Sequence, residues 1–476
     1  MQQPKEKQKE KEGSFVLLPS SNEILLQQQE QPRLLIFVNS KSGGQQGAYL
    51  LPKFQALLPA SQVFDIVAEG GPRNGILQHM KHGATNIRIL ACGGDGTGKW
   101  VLETMDNMAL GQTKVTVAML PLGTGNDIGR VLGWGGGYTF GSLLQPIIAE
   151  VMQAKEVPLD RWRVQLLKPS SDGDEPSEVA VHSMNNYLSL GFADAKVALD
   201  FHNTREKKPH LFINRGINKL WYASYGLRNA LQDAFQKDPP LMNDAVEITV
   251  DGQKVVIPES IQGVVVLNLP SYAGGMNLWG TRWDAKYSVV SMSDGVLEVI
   301  GIRNVIHMAQ TAMGMDSGVR LAQGKDIQIH YKSGQLPLPC KVDGEPWLQE
   351  ESVIFQVNYL KQSLMLCHRT CASSHAEARM RGWMTKRGAK VQSWRVRWFI
   401  LCHAKLYYYV TPQDVTPRGM VQLNSGAVVY RDKEEGRSEF SFAVHTDGRK
   451  LLLVVDSEEY MTEWMDAIKA DIESIS

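Results

Sequence analysis

Three short stretches of this chain combine glycine with small polar side chains in a way suited to holding phosphate. They are Asn39-Ser40-Lys41-Ser42-Gly43-Gly44, Gly93-Gly94-Asp95-Gly96-Thr97 and Gly123-Thr124-Gly125-Asn126-Asp127. Glycine lets a backbone approach phosphate oxygens closely, and exposed N–H groups then act as donors. The first stretch adds a cation at Lys41 and hydroxyls at Ser40 and Ser42. Asp95 and Asp127 add carboxylates, which a polyphosphate site needs to hold Mg²⁺ or to take a proton. Neither standard nucleotide fingerprint is complete. The run from Gly93 to Lys99 fills the first seven positions of a Walker A loop, but the eighth is Trp100, which has no oxygen for Mg²⁺. The dinucleotide pattern Gly-x-Gly-x-x-Gly fails at Lys99 and again at Ile128. One such loop alone reads equally well as a tight turn, and Asp127 as a helix cap. Three converging loops point to a polyphosphate.

The elements that would position these loops follow the same order each time. Apolar runs LLIFV, IRILAC and VTVAMLP precede the three loops, and helical stretches such as KWVLETMDNM and IGRVLG follow. Strand, glycine turn and helix in alternation predict an α/β domain with a parallel sheet. Ligands of such sheets bind beyond the carboxyl ends of the strands, where all three loops would sit. After residue 158 the texture becomes β-rich: RWRVQLL, NYLSLG, VEITV, KVVI, GVVVLNL, YSVVSM and GVLEVIGI read as short strands. One long helical stretch, NRGINKLWYASYGLRNALQDAF, interrupts them. From Arg381 a third unit begins, with short strands and a closing helix, EEYMTEWMDAIKADI. On that helix Tyr460, Met461, Trp464, Ile468 and Ile472 share a face, so Trp464 is a core residue. The expected organisation is a disordered segment 1–30, an α/β nucleotide-binding domain 31–157, a β-rich sandwich-like domain 158–367, a linker 368–379 and a β-barrel unit with a capping helix, 380–475.

Composition narrows the class. The 476 residues are 43% apolar and carry 50 Lys+Arg against 50 Asp+Glu. A net charge of zero argues against a nucleic-acid-coating protein, so any basic patch is local. Five cysteines, widely spaced, suggest a reducing compartment, and Cys367, His368, Cys371 and His375 match no familiar zinc spacing. The first residues, MQQPKEKQKEKEG, lack the apolar core of a secretory signal, and no apolar run approaches the ~20 residues that span a bilayer.

At these loops the chain resembles the diacylglycerol kinase family. The matches are FVNSKSGG, CGGDGT, LPLGTGNDIGRVLGWGGGY, PLDRW at 158–162, the run at 186–226, NLPSYAGGMNLWG at 268–280, SDGVLEVIG at 293–301 and KVDGEPW at 341–347. They occur in family order and cover residues 32–366. The resemblance implies an ATP- and Mg²⁺-dependent lipid kinase with its active site between two domains, the strands near 353–366 returning to the first. It implies that Asn39, Lys41, Ser42, Gly43, Gly93, Gly94, Gly96, Thr97, Gly123, Thr124, Gly125, Asn126 and Asp127 bind the nucleotide. Asp95 would be the catalytic carboxylate, holding Mg²⁺ or accepting the hydroxyl proton, with Asp160 and Glu345 completing the cluster. Asp294 matches a position that holds a structural metal in bacterial relatives. Gly98 and Lys99 depart from the usual small apolar pair. Ser291 and Ser293 stand where relatives often carry a second Asp. With five cysteines, no cysteine-rich C1 module is expected.

Residues 381–475 resemble a pleckstrin homology domain in RGWMTKRG, WRVRWFIL, KLYYY and the final helix. Arg395 and Arg397, two apart on a strand, share a face, and Lys386 could converge with them on a phosphoinositide headgroup. A second basic segment, Arg205 to Arg228, could face anionic lipid or simply be solvated. The expected protein is a cytoplasmic enzyme, peripherally attached to membranes, that phosphorylates diacylglycerol and binds no nucleic acid. A sphingoid-base or ceramide kinase and a catalytically inactive lipid-binding scaffold are the alternatives.

Overall fold

In strand β1 (Arg33–Val38), the five residues from Leu34 to Val38 are all buried. A strand covered on both faces belongs inside a parallel sheet. Leu35 and Phe37 point into one core and Leu34, Ile36 and Val38 into another, the two-residue period of a pleated strand. The computed structural model describes residues 32–169, 176–207, 241–332, 337–369, 371, 375, 377–388, 393–412, 414, 416–433, 435, 438–446 and 448–475. The segment expected to be disordered, the whole of the long helical stretch and the basic segment beyond residue 207 lie outside them.

The first domain continues with α1 (Gln46–Gln55), β2 (Val63–Asp65), α2 (Arg73–Lys81), β3 (Asn86–Gly93), α3 (Asp95–Asp106), β4 (Lys114–Pro121), α4 (Asp127–Val131) and α5 (Leu144–Gln153). Its strands run parallel in the order β2-β1-β3-β4. Val101, Leu102 and Met105 of α3 cover one face of the sheet, and Leu50 and Phe54 of α1 the other.

The second domain holds β5 (Lys155–Lys168), β6 (Ser177–Met184), β7 (Tyr187–Gly191), α6 (Ala195–Lys207), α7 (Met242–Ala245), β8 (Val246–Val250), β9 (Gln253–Val255), β10 (Gly263–Leu267), β11 (Leu297–Ile302), α8 (Val305–Ala312), β12 (Val319–Gly324), β13 (Ile327–Tyr331), β14 (Leu338–Val342), β15 (Glu345–Gln349) and β16 (Val353–Cys367). A six-stranded antiparallel sheet, β12-β11-β10-β7-β14-β15, faces β5, β8, β13 and β16 across a core containing Trp162, Phe355, Val266 and Cys340. The fifteen-residue β16 is shared between the domains. It pairs antiparallel with β5 and β13, then runs parallel to β4 at Met365. One ten-stranded sheet therefore crosses both domains, and the boundary expected at 157/158 falls inside β5.

The expected strand at YSVVSM is corrected: residues 287–292 form no strand. They pass between two cores, with Tyr287 and Val290 packed on one and Met292 buried in the other. Their backbone is served by a side chain, Gln323 Oε1 accepting the Ser288 N–H at 2.8 Å.

The linker is packed against the first domain. Cys367 and Cys371 are fully buried there, and the His368 N–H bonds to the Leu132 carbonyl at 2.9 Å. Gly133 has φ +77°, and a Cβ on it would lie 2.6 Å from the Cys371 Cβ, so both conformation and space require glycine.

The last unit comprises β17 (Met380–Arg387), β18 (Trp394–Cys402), β19 (Lys405–Tyr409), β20 (Gly419–Gln422), β21 (Val428–Arg431), β22 (Ser441–Thr446), β23 (Arg449–Val454) and α9 (Glu458–Glu473). Its strands form one antiparallel sheet, β20-β19-β18-β17-β23-β22-β21. Helix α9, N-capped by the Ser457 hydroxyl, inserts Tyr460, Trp464 and Ile468 into its core. This unit touches the second domain through Trp283. The Trp283 indole stacks on Tyr460 at 4.9 Å, and the Trp283 backbone N–H donates to the Asp456 carboxylate at 3.0 Å.

Candidate active site

All three glycine-rich loops emerge at the carboxyl ends of β1, β3 and β4. The second and third touch through backbone: a Cβ on Gly123 would stand 2.7 Å from the Gly94 Cα. The first and second are tied by Asn39, whose amide donates to Thr97 Oγ1 at 3.0 Å. Gly93 is needed beside Thr97, whose Oγ1 would lie 2.1 Å from an added Cβ, whereas Gly96 faces open space. Lys41 is exposed at the rim. Asn126 takes a left-handed conformation, φ 55°, and donates from its side chain to the carbonyls of Gly123 and Gly136. This shapes the third loop and starts α4 at Asp127.

Asp95, the first residue of α3, sits where the loops meet. Its Oδ2 accepts the Asp127 N–H at 2.8 Å and the Asn186 amide at 3.1 Å. Its Oδ1 is buried with no hydrogen-bond partner among the described residues. Burial, and then the Asp127 carboxylate, raise the Asp95 carboxyl to about 7. Asp127 does not cap its helix through its side chain. Its carboxylate accepts the Ser271 hydroxyl at 2.6 Å and the N–H groups of Gly274 and Gly275, at 3.0 and 3.1 Å. It thereby fastens the 271–275 loop of the second domain to the first.

Two residues that motif matching left without a role complete the centre. Asp343, in the tight turn between β14 and β15 with φ 49°, accepts the N–H groups of Asn185, Asn186 and Tyr187 at 2.8, 2.8 and 3.1 Å. That fixes the turn from which Asn186 reaches Asp95. The 341–347 motif pointed at this hairpin, with Glu345 as the acid the resemblance implied. The Glu345 side chain is 69% exposed and pairs with the Lys99 ammonium at 3.3 Å. Lys341, two residues before Asp343, is buried and neutralised by Asp194 at 2.5 Å.

Asp95, Gly96, Thr124 to Asp127, Asn186, Asp343 and Glu345 line one cleft of about 600 Å³, together with apolar residues of α6, Ala198 and Phe201. Asp160 does not line it. Its carboxylate is spent on the Gly295 N–H at 2.6 Å and the Gln362 amide at 2.8 Å, so it braces the domain behind the cleft. Asp294 neighbours Asp160 instead of Asp95. Burial, with Asp160 as a further cause, raises its carboxyl to about 6. Among the described residues no three His, Cys, Asp or Glu side chains converge closely enough to hold a metal ion unaided.

In the last unit, Lys386 lies directly across from Arg395 in the β17–β18 ladder, and Met384 across from Arg397. The three cations therefore share one face. Burial, and then Arg449, Arg397 and Arg395, lower the Lys386 ammonium. Arg418 and Arg449, which the short basic motif did not include, belong to the same positive field. No helix of the described residues is long and apolar enough to cross a membrane.

The chain matches the family descriptions "Diacylglycerol kinase catalytic domain" over residues 33–158, "Diacylglycerol kinase accessory domain" over 183–346 and "PH domain" over 378–473. It is 39% identical over 323 residues to diacylglycerol kinase theta of Mus musculus, covering 66% of this chain and 33% of that protein. It is 38% identical over 339 residues to diacylglycerol kinase 2 of Arabidopsis thaliana, covering 70% and 46%. The chain thus spans a third to a half of the length of these relatives. The carboxyl-terminal PH domain of pleckstrin aligns at 30% identity with a TM-score of 0.18, covering 20% of this chain and 95% of that one.

Proposed function

The chain belongs to the diacylglycerol kinase family, and on that premise we propose that it transfers the γ-phosphate of ATP to the hydroxyl of diacylglycerol, giving phosphatidic acid. The observation that carries this reading is Asp95: a carboxylate at the meeting point of three phosphate-permissive loops, with Oδ1 unpartnered and a carboxyl raised to about 7. A base with its pKa near the working pH is well matched to a hydroxyl proton.

The glycine loops and the start of α3 would hold the phosphates through backbone N–H groups. The acceptor oxygen attacks the γ-phosphorus as the bond to the ADP oxygen breaks, and the hydroxyl proton passes to Asp95 Oδ1. Asn186 and the Asp127 N–H hold Asp95 Oδ2, which leaves Oδ1 aimed at the acceptor. The oxygens of Asp127 and Asp343 are taken up instead by backbone N–H groups. Mg²⁺ would enter as a companion of the nucleotide: Glu345, whose exposed carboxylate lines the cleft, would hold it together with phosphate oxygens. When bound, Mg²⁺ neutralises charge on the β- and γ-phosphates. The cations at Lys386, Arg395 and Arg397 would bring the enzyme to anionic phosphoinositide headgroups as a peripheral membrane protein.

Radiolabelled ATP with a panel of lipids in mixed micelles tests this function. Diacylglycerol should be labelled and sphingosine and ceramide should not. Faster labelling of sphingosine would assign the chain a different acceptor, and no labelling of any lipid would leave the scaffold reading.

A further inference from the structure

Helix α3 begins with Asp95 and also carries a polar face that the chemistry above does not use. Lys99, Glu103 and Asp106 lie four and three residues apart, which aligns them along one side of the helix. All three reach the second domain. Lys99 pairs with Glu345 at the start of β15, at 3.3 Å. Glu103 Oε1 accepts the Ser183 hydroxyl of β6 at 2.5 Å. Asp106 accepts Arg161 of β5 at 2.5 Å and also pairs with Lys361 of β16.

These contacts return to the centre. Arg161 is fully buried and donates from Nε to Asn185 Oδ1 at 2.9 Å, one residue before the Asn186 that holds Asp95. The 183–186 turn is therefore gripped by the beginning, middle and end of one helix.

We propose that Lys99, Glu103 and Asp106 form a polar seam that sets how the two domains close over the cleft, and that Lys99 is the positioning residue for the Asp343–Glu345 turn. This rests on the kinase reading for its catalytic consequence, not for the seam itself. The asymmetry of the Lys99 pair supports it. Lys99 is only 7% exposed, while its partner's side chain is 69% exposed. An ammonium buried for the sake of one solvated carboxylate would be a net cost. The Lys99 charge also bears on Asp343, whose carboxylate accepts the N–H groups of Asn185, Asn186 and Tyr187. A neutral side chain at position 99 would loosen the 185–187 backbone and with it Asn186 and Asp95.

The test combines hydrogen exchange of the whole chain with steady-state kinetics of Lys99→Met and Lys99→Arg. In Lys99→Met the amides of Asn185, Asn186 and Tyr187 should exchange roughly tenfold faster, as when a charge-assisted contact is lost. The kcat for diacylglycerol should fall about tenfold or more with KM for ATP changing less than about threefold, as expected of a mispositioned group. Lys99→Arg should restore both. Unchanged exchange in Lys99→Met, or equal kinetic losses in the Met and Arg variants, would overturn the proposal. If Lys99→Met does not fold, Lys99→Gln gives the same exchange readout on Asn185, Asn186 and Tyr187. A wild-type chain that phosphorylates no lipid would end the kinase reading, and the exchange comparison would still decide the seam.

Discussion

Asp95 is held by two neighbours: Asn186 and the Asp127 N–H orient it, while burial, and then the Asp127 charge, raise its pKa. Replacing it with Asn keeps the shape and removes the charge. Asp95→Asn should lose a factor of ~10²–10⁴ or more in kcat, the range for a lost acid–base or charge-stabilising group, while circular dichroism and melting temperature stay close to wild type. A folded variant retaining more than about a tenth of wild-type activity would contradict the assignment, since it lies well outside that range. Glycine spacing singled out Asp95 by local chemistry alone, and the glycine-rich loops do meet around it. Asn186 and Asp343 were not given roles, because what they do depends on a turn meeting a hairpin far away in the chain. Asp160 shows the converse. Its motif marked it as acidic, but only the fold shows that it lies outside the cleft lining, with the Gly295 N–H and the Gln362 amide on its carboxylate.

At the scale of elements, the first domain was the more readable half. Each of its strands is followed by a glycine turn or helix within a few residues, so local pattern and final position agree. The β-rich half depends on pairings across long separations, and the irregular 287–292 segment was misread because alternating apolar residues there serve two cores instead of one sheet face. The linker also carries a titratable group. His375 lies half-buried between Tyr407, at 4.7 Å ring to ring, and the Tyr409 hydroxyl, 3.1 Å from Nε2. Burial, then the cations Lys155, Arg381 and His403, lower its pKa to about 4 from an ordinary 6.5. The folded state therefore favours the neutral ring. Its contribution to stability is complete above pH 6.5 and is lost as pH falls from there toward about 4. Thermal unfolding followed between pH 7 and 4.5 should show wild type losing more stability than His375→Phe. Parallel pH profiles for the two would rule out His375 as the titrating group.

For the molecule as a whole, the Trp283–Tyr460 stack joins the phosphoinositide-binding candidate unit to the domain that bears half of the cleft. Membrane binding should depend on the shared cationic face of that unit. The double substitution Arg395→Ala, Arg397→Ala should reduce co-sedimentation with phosphoinositide vesicles roughly tenfold or more, at ~1 kcal/mol per basic residue near an anionic surface. Undiminished co-sedimentation would place the anchor elsewhere. The shared strand β16 bears on a different matter, the order in which this protein can be made. Strand β4 leaves the ribosome by residue 121, but the partner that covers its edge, around Met365, is translated some 240 residues later. At 5–20 residues per second that is a wait of roughly 10–50 s with an unpaired, apolar sheet edge in the cell. An open edge of that kind invites pairing with other chains. The nascent first domain is thus a natural client for chaperones, and its fold is sealed only when translation has passed the last residue of the second.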